Sequence, residues 1–275
     1  MFYVTLAAMT QVFGNDEWAV ILGASSGFGE ATGLELASRG LNICGIHLDR
    51  RGTMPHVEEV INAIQKTGRH ALFFNINAAD EEKRREAIES LKSQVGGSFV
   101  RVLLHSLAFG TLKPLVAGSA EDELNAAQMN MTLDVMANSL VYWVQGLMRA
   151  GLLREGSRVF AMTSLGSTVA AGSYGAVSAA KSALESHIRQ LTLELAGRGI
   201  TFNAIRAGVT NTPSLQKIPG HEKMMEAALA KNPSGRLTTP IDVARAIATL
   251  SHPDTYWLTG NIINVDGGEM IVGTK

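Results

Sequence analysis

The sequence predicts one α/β domain with a doubly wound parallel sheet flanked by helices. Short continuous apolar runs alternate along the chain with longer segments of helical spacing. Uninterrupted apolar runs are typical of parallel strands covered on both faces, and repeated strand–helix units imply right-handed crossovers. A length of 275 residues with 46% hydrophobic residues fits one domain with a large core better than two domains.

The predicted elements alternate regularly. The apolar runs predict strands at Trp18 to Leu22, Leu41 to Ile46, Ala71 to Phe74, Val100 to Leu104, Arg158 to Met162, Thr201 to Ile205 and Ile262 to Val265. The periodic segments predict helices at Gly27 to Ser38, His56 to Lys66, Glu81 to Gln94, Glu121 to Ala150, Tyr174 to Ala196, His221 to Ala230 and Ile241 to Leu250. This order indicates a Rossmann-like sheet.

The composition argues against several classes of function. A formal net charge of -1 offers no basic excess for nucleic acid. The lone Cys44 lies in an apolar run, so we expect a buried thiol in a reducing compartment, by default the cytoplasm. No H-E-x-x-H or Cys-x-x-Cys pattern is present, and no metal site is expected. The apolar stretch at residues 1–13 is too short to span a membrane.

The chain is predicted to contain an N-terminal extension, residues 1–17, that docks on the surface of a single domain, residues 18–275. The irregular stretch from Ala207 to Pro219 leads into a short helix. Loops of that length are often lids, so we expect a substrate lid around residues 207–235. Its apolar residues Leu215, Ile218, Met224 and Met225 fit either a lid over an acyl chain or ordinary core.

A glycine-rich turn follows the first predicted strand. Its three glycines open the next helix, so the backbone can approach a pyrophosphate that lies on the helix N-terminus. Ordinary turns also need glycine, but the position at the first strand–helix junction favours a nucleotide site. The turn residues predicted to bind the cofactor are Gly23, Ser25, Ser26, Gly27, Phe28 and Gly29.

The end of the second strand bears on the choice of nicotinamide cofactor. An NAD site usually has an acidic residue there, whereas an NADP site has arginine near the 2'-phosphate. His47 occupies the acidic position, and Arg50 and Arg51 can clamp a phosphate, although arginines also suit a solvated turn. Asp49 and Ser26 argue for NADH. The sequence favours NADPH and leaves NADH open.

Three polar residues are predicted to converge at the carboxyl edge of the sheet, where ligands bind in this architecture. Ser164 ends one predicted strand, and Tyr174 and Lys181 begin the following helix. Tyr174 is a candidate for stabilising an oxyanion, and the positive charge of Lys181 is expected to lower the pKa of Tyr174. Ser164 either assists the substrate oxygen or merely finishes the strand.

The chain from residue 18 onward resembles the short-chain dehydrogenase/reductase family. The resemblance rests on the glycine turn, Ser164, Tyr174, Lys181, Asn203-Ala204-Ile205-Arg206-Ala207-Gly208 and Leu258-Thr259-Gly260 with Val265-Asp266-Gly267-Gly268. The family implies further cofactor contacts: Asn75 and Ile76 beside adenine, Ser106, Leu107 and Ala108 along the cofactor, and Gly208, Val209, Thr210 and Thr212 at the carboxamide. Thr212 also suits a helix cap.

Two departures from ordinary members resemble bacterial enoyl-acyl-carrier-protein reductases. Ordinary members have Tyr-x-x-x-Lys, which would place the tyrosine at Val177, whereas this chain has six residues between Tyr174 and Lys181. The run His105-Ser106-Leu107-Ala108-Phe109 replaces their Asn-Asn-Ala-Gly. A serine at position 164, where many enoyl reductases have a second tyrosine, resembles the NADPH-dependent, triclosan-tolerant FabL type. An equivalence of Asn138 to the family asparagine stays undecided.

The resemblance implies NADPH-dependent reduction of the trans-2 double bond of an enoyl thioester carried by acyl carrier protein or CoA. Moving the tyrosine three residues displaces it by about 4.5 Å along a helix, which we expect to extend its reach to the thioester oxygen. The alternatives are a carbonyl, 3-ketoacyl or hydroxysteroid reductase, and a cofactor-binding sensor. Basic residues Lys217, Lys223, Lys231 and Arg236 are candidates for carrier docking or a solvated face, and a homotetramer is expected.

Overall fold

The computed structural model describes residues 13–273. Its centre is a seven-stranded sheet in the order β3-β2-β1-β4-β5-β6-β7, in which neighbouring strands are parallel. The fold class predicted from the sequence is therefore confirmed. The strands are β1 Trp18–Leu22, β2 Asn42–His47, β3 Ala71–Asn75, β4 Val100–His105, β5 Arg158–Thr163, β6 Thr201–Ala207 and β7 Ile262–Val265.

Helices cover both faces of the sheet. They are α1 Gly27–Ser38, α2 Met54–Lys66, α3 Glu81–Val95, α4 Ala126–Leu133, α5 Ser139–Arg149, α6 Gly175–Leu195, α7 His221–Lys231 and α8 Pro240–Leu250. The helical residues were recognisable because apolar side chains recur on one face, as in α2, where Val57, Val60 and Ile64 are buried.

The prediction of one long helix from Glu121 to Ala150 is wrong at its start and in its middle. Helix α4 begins at Ala126, because Asn125 caps it in a reciprocal capping box with Gln128. A π-helical turn, Asp134–Asn138, then separates α4 from α5. Such turns are frequent at functional sites, and this one lies beside the carboxyl edge of the sheet.

Two hydrophobic clusters hold the layers together. On one face, helices α3, α5 and α6 pack against the sheet around Trp143, Leu184 and Leu91. On the other face, Leu36 of α1 and Ile247 of α8 lie in the second cluster. Trp143 also donates a hydrogen bond of 2.9 Å from Nε1 to the carbonyl of Ala78, which fixes the loop after β3.

The predicted N-terminal extension falls largely outside the described residues. Phe13, the first of them, is buried in the second cluster. Glu17 forms an ion pair with Arg101 of β4, with 2.8 Å between Oε2 and Nε. Phe13 and Glu17 thus tie this segment to the domain; docking of residues 1–12 stays a prediction. None of the helices described is long and apolar enough to cross a membrane.

The order of the strands determines where a ligand can bind. Strands β1 and β4 are neighbours, yet β1 leads into α1 on one face and β4 leads towards α4 and α5 on the other. A crevice opens at such a switch point, outside the carboxyl ends of the strands. The glycine turn after β1 and Ser106 after β4 lie at this edge, where Ser106 N–H donates to the carbonyl of Leu22 at 2.8 Å.

Gly45 tests the packing of β2 against β3. A methyl group at Gly45 would lie 2.6 to 2.8 Å from three ring atoms of Phe73. We therefore expect Gly45→Ala to reduce the free energy of unfolding by about 1–3 kcal/mol through overpacking, measured by urea denaturation. Gly52→Ala is the matched control, because nothing lies within 4 Å of its added methyl. Equal stability of the two variants would contradict this account of the sheet.

Candidate active site

A cleft of about 330 Å³ lies at the switch point between β1 and β4. It is bounded by the loops that follow the strands, by the start of α6 and by the segment after β6. The predicted site residues that line it are Gly23, Ser25, Ser26, Gly27, Phe28, His47, Ile76, Ser106, Leu107, Ala108, Ser164, Tyr174, Lys181 and Thr212. The structure therefore brings the predicted cofactor turn and the predicted catalytic residues into one cleft.

The glycine turn has the geometry of a phosphate cradle. Gly23 has φ of +90°, and a Cβ there would lie 3.0 Å from the carbonyl carbon of Ser106. Gly29 does not line the cleft; it lets α1 pack against the turn, because a Cβ would collide with the carbonyl of Gly23. Ser26 precedes α1 and makes no side-chain cap, so the first N–H groups of α1 remain for an anion. These residues fit the pyrophosphate of a dinucleotide.

The residues that line the adenosine end of the cleft differ from those predicted. Arg50 and Arg51 are exposed and do not line the cleft, whereas Asp49 does. Burial alone would raise the pKa of Asp49, but hydrogen bonds from Ser25, Thr53 and His47 lower it below its usual value. A carboxylate, which sequence reasoning did not select, therefore stands at the end of β2.

His47 and Asn75 hold this carboxylate turn in place. His47 Nδ1 lies 3.0 Å from Asp49 Oδ2. The Asn75 side chain accepts from Asp49 N–H and donates to the Asp49 carbonyl, each at 2.9 Å. Asn75 itself does not line the cleft, whereas Ile76 does. The structure thus places Asn75 as a support of the turn.

The predicted catalytic residues meet at the end of β5. Ser164 Oγ and Tyr174 Oη lie 3.3 Å apart. Lys181 is buried and donates from Nζ to the carbonyl of Met162 at 2.6 Å. The end of β5, the turn before α6 and α6 itself therefore present two hydroxyls and one amine to the same cleft.

Tyr174 lies immediately before α6, not within it as predicted. Helix α6 begins at Gly175, and Ser173 has φ of +57°, a left-handed conformation that non-glycine residues seldom adopt. The displacement of Tyr174 along the chain is therefore set by this turn as well as by the helical rise. Val177, at the ordinary tyrosine position, is buried in the core.

The two ionisable groups have shifted pKa values. Burial lowers the pKa of Lys181 to about 8, and the Glu185 carboxylate opposes that shift. Burial raises the pKa of Tyr174, and the hydrogen bond to Ser164 offsets the rise in part. The expected lowering of the tyrosine pKa by Lys181 is not found. Tyr174 is therefore a neutral donor at physiological pH.

Behind these residues lies a neutral histidine. Burial lowers the pKa of His105 to about 3. Its Nε2 lies 2.9 Å from Ser139 Oγ, which itself donates to the carbonyl of Val135 in the π-helical turn. Asn138 does not line the cleft, and its Oδ1 lies 3.2 Å from His187 Nε2 on α6. Its equivalence to the family asparagine stays undecided.

Of the residues predicted to contact the carboxamide, only Thr212 lines the cleft. Gly208, Val209 and Thr210 do not line it. The Val209 N–H donates to Glu269 at 3.1 Å, so this donor is already engaged. Thr212 lines the cleft, and its hydroxyl also accepts from Leu215 N–H at 3.2 Å, as a capping residue does.

Several residues that line the cleft were not singled out from the sequence. Phe109, next to Ala108 in the run already noted, could have been found by extending the loop after β4. The others are Ile46, Leu48, Asn77, Ala78, Val135, Met162, Thr163, Pro213 and Ser214. Asp49 and Lys217 also line the cleft; from the sequence, Asp49 was only an argument for NADH and Lys217 only a candidate for carrier docking. Most of these residues belong to loops or strand ends, and tertiary packing brings them to the cleft. No group of three or more His, Cys, Asp or Glu in residues 13–273 is placed to hold a metal ion.

Comparison with known proteins places this fold and site in context. A family model described as Enoyl-(Acyl carrier protein) reductase matches residues 23–269. A cyclohexanol dehydrogenase of Acinetobacter sp. (strain SE19) is 28% identical over 254 residues, 92% of this chain and 94% of the relative. The 3-oxoacyl-[acyl-carrier-protein] reductase FabG of Thermotoga maritima is 28% identical over 252 residues, 92% of this chain and 97% of the relative.

A solved structure has a similar fold. The crystal structure of an enoyl-[acyl-carrier-protein] reductase (NADH) from Aquifex aeolicus VF5 has a TM-score of 0.79 and 21% identity, covering 95% of this chain and 100% of that chain. At this identity the likeness concerns the fold alone. The relatives' names divide between reactions at a carbonyl or alcohol carbon and reduction of an enoyl group.

Gly166 tests the placement of Tyr174. A Cβ at Gly166 would collide with the Tyr174 ring, with 2.9 Å to its Cδ1, and would lie 3.2 Å from Ser164 Oγ. We expect Gly166→Ala to lower kcat about 100-fold by displacing the phenol, while dinucleotide affinity, measured by fluorescence, stays within about 3-fold. Gly172→Ala, whose added methyl meets nothing within 4 Å, is the control. Unchanged turnover in Gly166→Ala would refute this placement.

Proposed function

The chain belongs to the short-chain dehydrogenase/reductase superfamily of NAD(P)-dependent oxidoreductases, in the family described as Enoyl-(Acyl carrier protein) reductase, and we propose that it reduces the trans-2 double bond of enoyl thioesters. The observation that carries this proposal is the position of Tyr174. Its hydroxyl faces Ser164 from a turn outside α6, while Val177 fills the ordinary tyrosine position with a buried apolar side chain. The donor is thus displaced along the chain to the turn before α6, and we propose that this moves it along the cleft.

The chemistry of conjugate reduction explains why a displaced donor is useful. A reduced nicotinamide held in the cleft would supply hydride to C3 of the substrate. As C3 gains the hydride, the C2–C3 π bond breaks, its electrons move towards C1 and leave an enolate oxygen on the thioester, and C2 then takes a proton from water. Tyr174 donates a hydrogen bond to that oxygen as negative charge develops. Ser164 shares the phenol hydrogen bond and orients the ring.

Lys181 supports this step in its cationic form. Its ammonium is fixed by the Met162 carbonyl, beside the part of the cleft where the nicotinamide ribose would lie. A positive charge there favours the enolate and binds ribose hydroxyls. Because the pKa of Lys181 is about 8, the cation is present below that pH and is lost as the pH rises through it.

The cleft is also the basis for the proposed cofactor position. The pyrophosphate would lie on the first N–H groups of α1, with Gly23 and Ser26 beside it, and adenine near Ile76. We propose NADPH as the reductant, with Arg50 and Arg51 closing over the 2'-phosphate from the exposed turn. Asp49 favours the alternative, NADH, because its carboxylate lies in the cleft where a ribose hydroxyl would donate.

The substrate enters past the segment around residues 207–235, which we propose as the lid. Thr212, Pro213, Ser214 and Lys217 of this segment line the cleft. The exposed Lys217 at its mouth suits the acidic surface or phosphate of a carrier-linked thioester, whereas Arg236 is already paired with Asp242 at 2.7 Å. For assembly we propose a homotetramer, because Tyr256, Trp257 and Ile262 are exposed at the β7 edge.

A carbonyl reductase is the second candidate. The Acinetobacter and Thermotoga relatives carry names for reactions at an alcohol or ketone, and hydride delivery to a ketone would use the same cleft. In that reaction the oxygen lies on the carbon that receives hydride, so the donor must stand closer to the nicotinamide. The two reactions are therefore separable by substrate.

Parallel assays distinguish these functions. We expect the purified protein to oxidise NADPH with a trans-2-enoyl thioester and to turn over the matching 3-ketoacyl thioester at least 10-fold more slowly. Tyr174→Phe should lower kcat for the enoyl substrate about 100- to 1,000-fold, because it removes the oxyanion donor. Turnover of the ketone alone would move the chain to the carbonyl reductases, and silence with both would favour a sensor.

Cofactor choice has its own test. We expect the double variant Arg50→Ala/Arg51→Ala to bind NADPH at least about 10-fold more weakly, because a charge-assisted phosphate contact contributes more than 1.4 kcal/mol, and to bind NADH as the wild type does. Asp49→Asn should leave NADH binding within about 3-fold. A wild-type preference for NADH that Asp49→Asn reverses would instead assign selection to the Asp49 carboxylate.

A further inference from the structure

A buried network of charged and hydroxyl side chains lies behind the proposed catalytic residues, at the ends of β5 and β6. Thr163 Oγ1 donates to Glu185 Oε1 at 2.6 Å. Arg206 Nη2 donates to the same carboxylate oxygen at 3.1 Å and to Ser167 Oγ at 3.2 Å. Thr163 and Glu185 are each 6% exposed, so these polar groups are held away from solvent. None of the family motifs found in the sequence assigned them a role.

This network is joined to the proposed catalytic residues on two sides. Glu185 follows Lys181 by one helical turn on α6, so the two side chains lie on the same face. Thr163 lies between Met162, whose carbonyl accepts from Lys181, and Ser164. Ser167 Oγ in turn donates to the carbonyl of Ser164 at 3.0 Å. A change at Glu185 therefore reaches both Lys181 and the end of β5.

The titratable and charged groups that bear on Lys181 come from the turn before α6, from β4, from β6 and from α6 itself. Tyr174 precedes α6 and is a neutral phenol, His105 on β4 is neutral because its pKa is about 3, and Arg206 on β6 is a cation. Glu185, on α6 itself, is the carboxylate that acts on the Lys181 pKa, and it acts against burial. Arg206 is paired with the same carboxylate, with 3.1 Å between Nη2 and Oε1, so its effect on Lys181 passes through Glu185.

Burial of the Arg206 side chain lowers the stability of the fold. Its Nε is buried and has no hydrogen-bond partner among the residues described. A buried unsatisfied donor lowers stability, so a purely structural pair would be served as well by apolar side chains. This observation favours a role in the site for the pair.

We propose that Glu185 is a positioning residue that holds Lys181 in its ammonium form and fixes the end of β5 through Thr163, and that Arg206 orients the Glu185 carboxylate and limits its effect. The inference rests on the proposed function of Lys181. It adds that the working pH range of the enzyme is set by this ion pair.

Glu185→Gln removes the charge while retaining the shape and an oxygen that can accept from Thr163. The titration midpoint of Lys181 is measured by NMR of protein with ¹³C-labelled lysine, and its signal is identified by its loss in Lys181→Met. We expect a midpoint near 8 in the wild type and a fall of about 1 unit or more in Glu185→Gln, because an opposite charge is removed. The alkaline limb of the kcat profile should move down by the same amount.

Three further variants show whether a changed Lys181 midpoint reflects the Glu185 charge or a general loss of structure. Arg206→Met removes the opposing cation and should move the Lys181 midpoint upward, the opposite direction, because Glu185 then acts on Lys181 alone. Glu185→Asp should restore part of the wild-type profile. Glu194→Gln, an exposed glutamate on the same helix, is the matched control and should leave the midpoint unchanged.

The readouts separate this inference from the proposed function. An unchanged Lys181 midpoint in both Glu185→Gln and Arg206→Met, or a loss of kcat that is equal at every pH, would overturn the inference and leave a structural ion pair. Absence of wild-type turnover with enoyl thioesters would refute the proposed function, while the NMR midpoints would still decide whether the pair controls Lys181.

Discussion

Burial of the Lys181 ammonium between β5 and α6 is the constraint on which the rest of the site depends. A fall in its pKa from 10.5 to about 8 corresponds to roughly 3 kcal/mol at neutral pH. Because the folded state binds this proton more weakly, the cost is fully present below pH 8 and is relieved as the pH rises towards 10.5. The carbonyl of Met162 and the carboxylate of Glu185 offset it in part, so the end of β5 and the face of α6 must stay in register.

The same low-polarity environment gives each neighbour a defined protonation state. His105 is kept neutral, and Tyr174 keeps its proton, because burial disfavours the charged form of both. A neutral phenol beside a cation is suited to donate a hydrogen bond to an oxygen that becomes negative. The site therefore combines a donor and a charge at the expense of stability, as is common where function and stability compete.

The adenosine end shows why a motif near a strand end is hard to interpret from sequence. His47, Asp49, Arg50 and Arg51 are close in the chain, and the sequence does not distinguish which of them faces a ribose. The direction of Asp49 depends on two hydrogen bonds between its backbone and the Asn75 side chain of the neighbouring strand, and on one that Thr53 donates to its carboxylate. These bonds turn Asp49 towards the cleft and leave the arginines outside it, so the charge nearest the cleft is opposite to the one that the arginines suggested.

The sequence by itself determined the seven strands, the doubly wound sheet and the convergence of Ser164, Tyr174 and Lys181, because apolar periodicity and the order of elements fix which residues end at the same edge. Tertiary structure alone decided the π-helical turn at Asp134–Asn138, the position of Tyr174 before α6 and the Glu185–Arg206 pair. The pair joins α6 to β6, residues distant in the chain. The two turns are set by backbone conformations, such as the positive φ of Ser173, that a pattern of apolar side chains does not report.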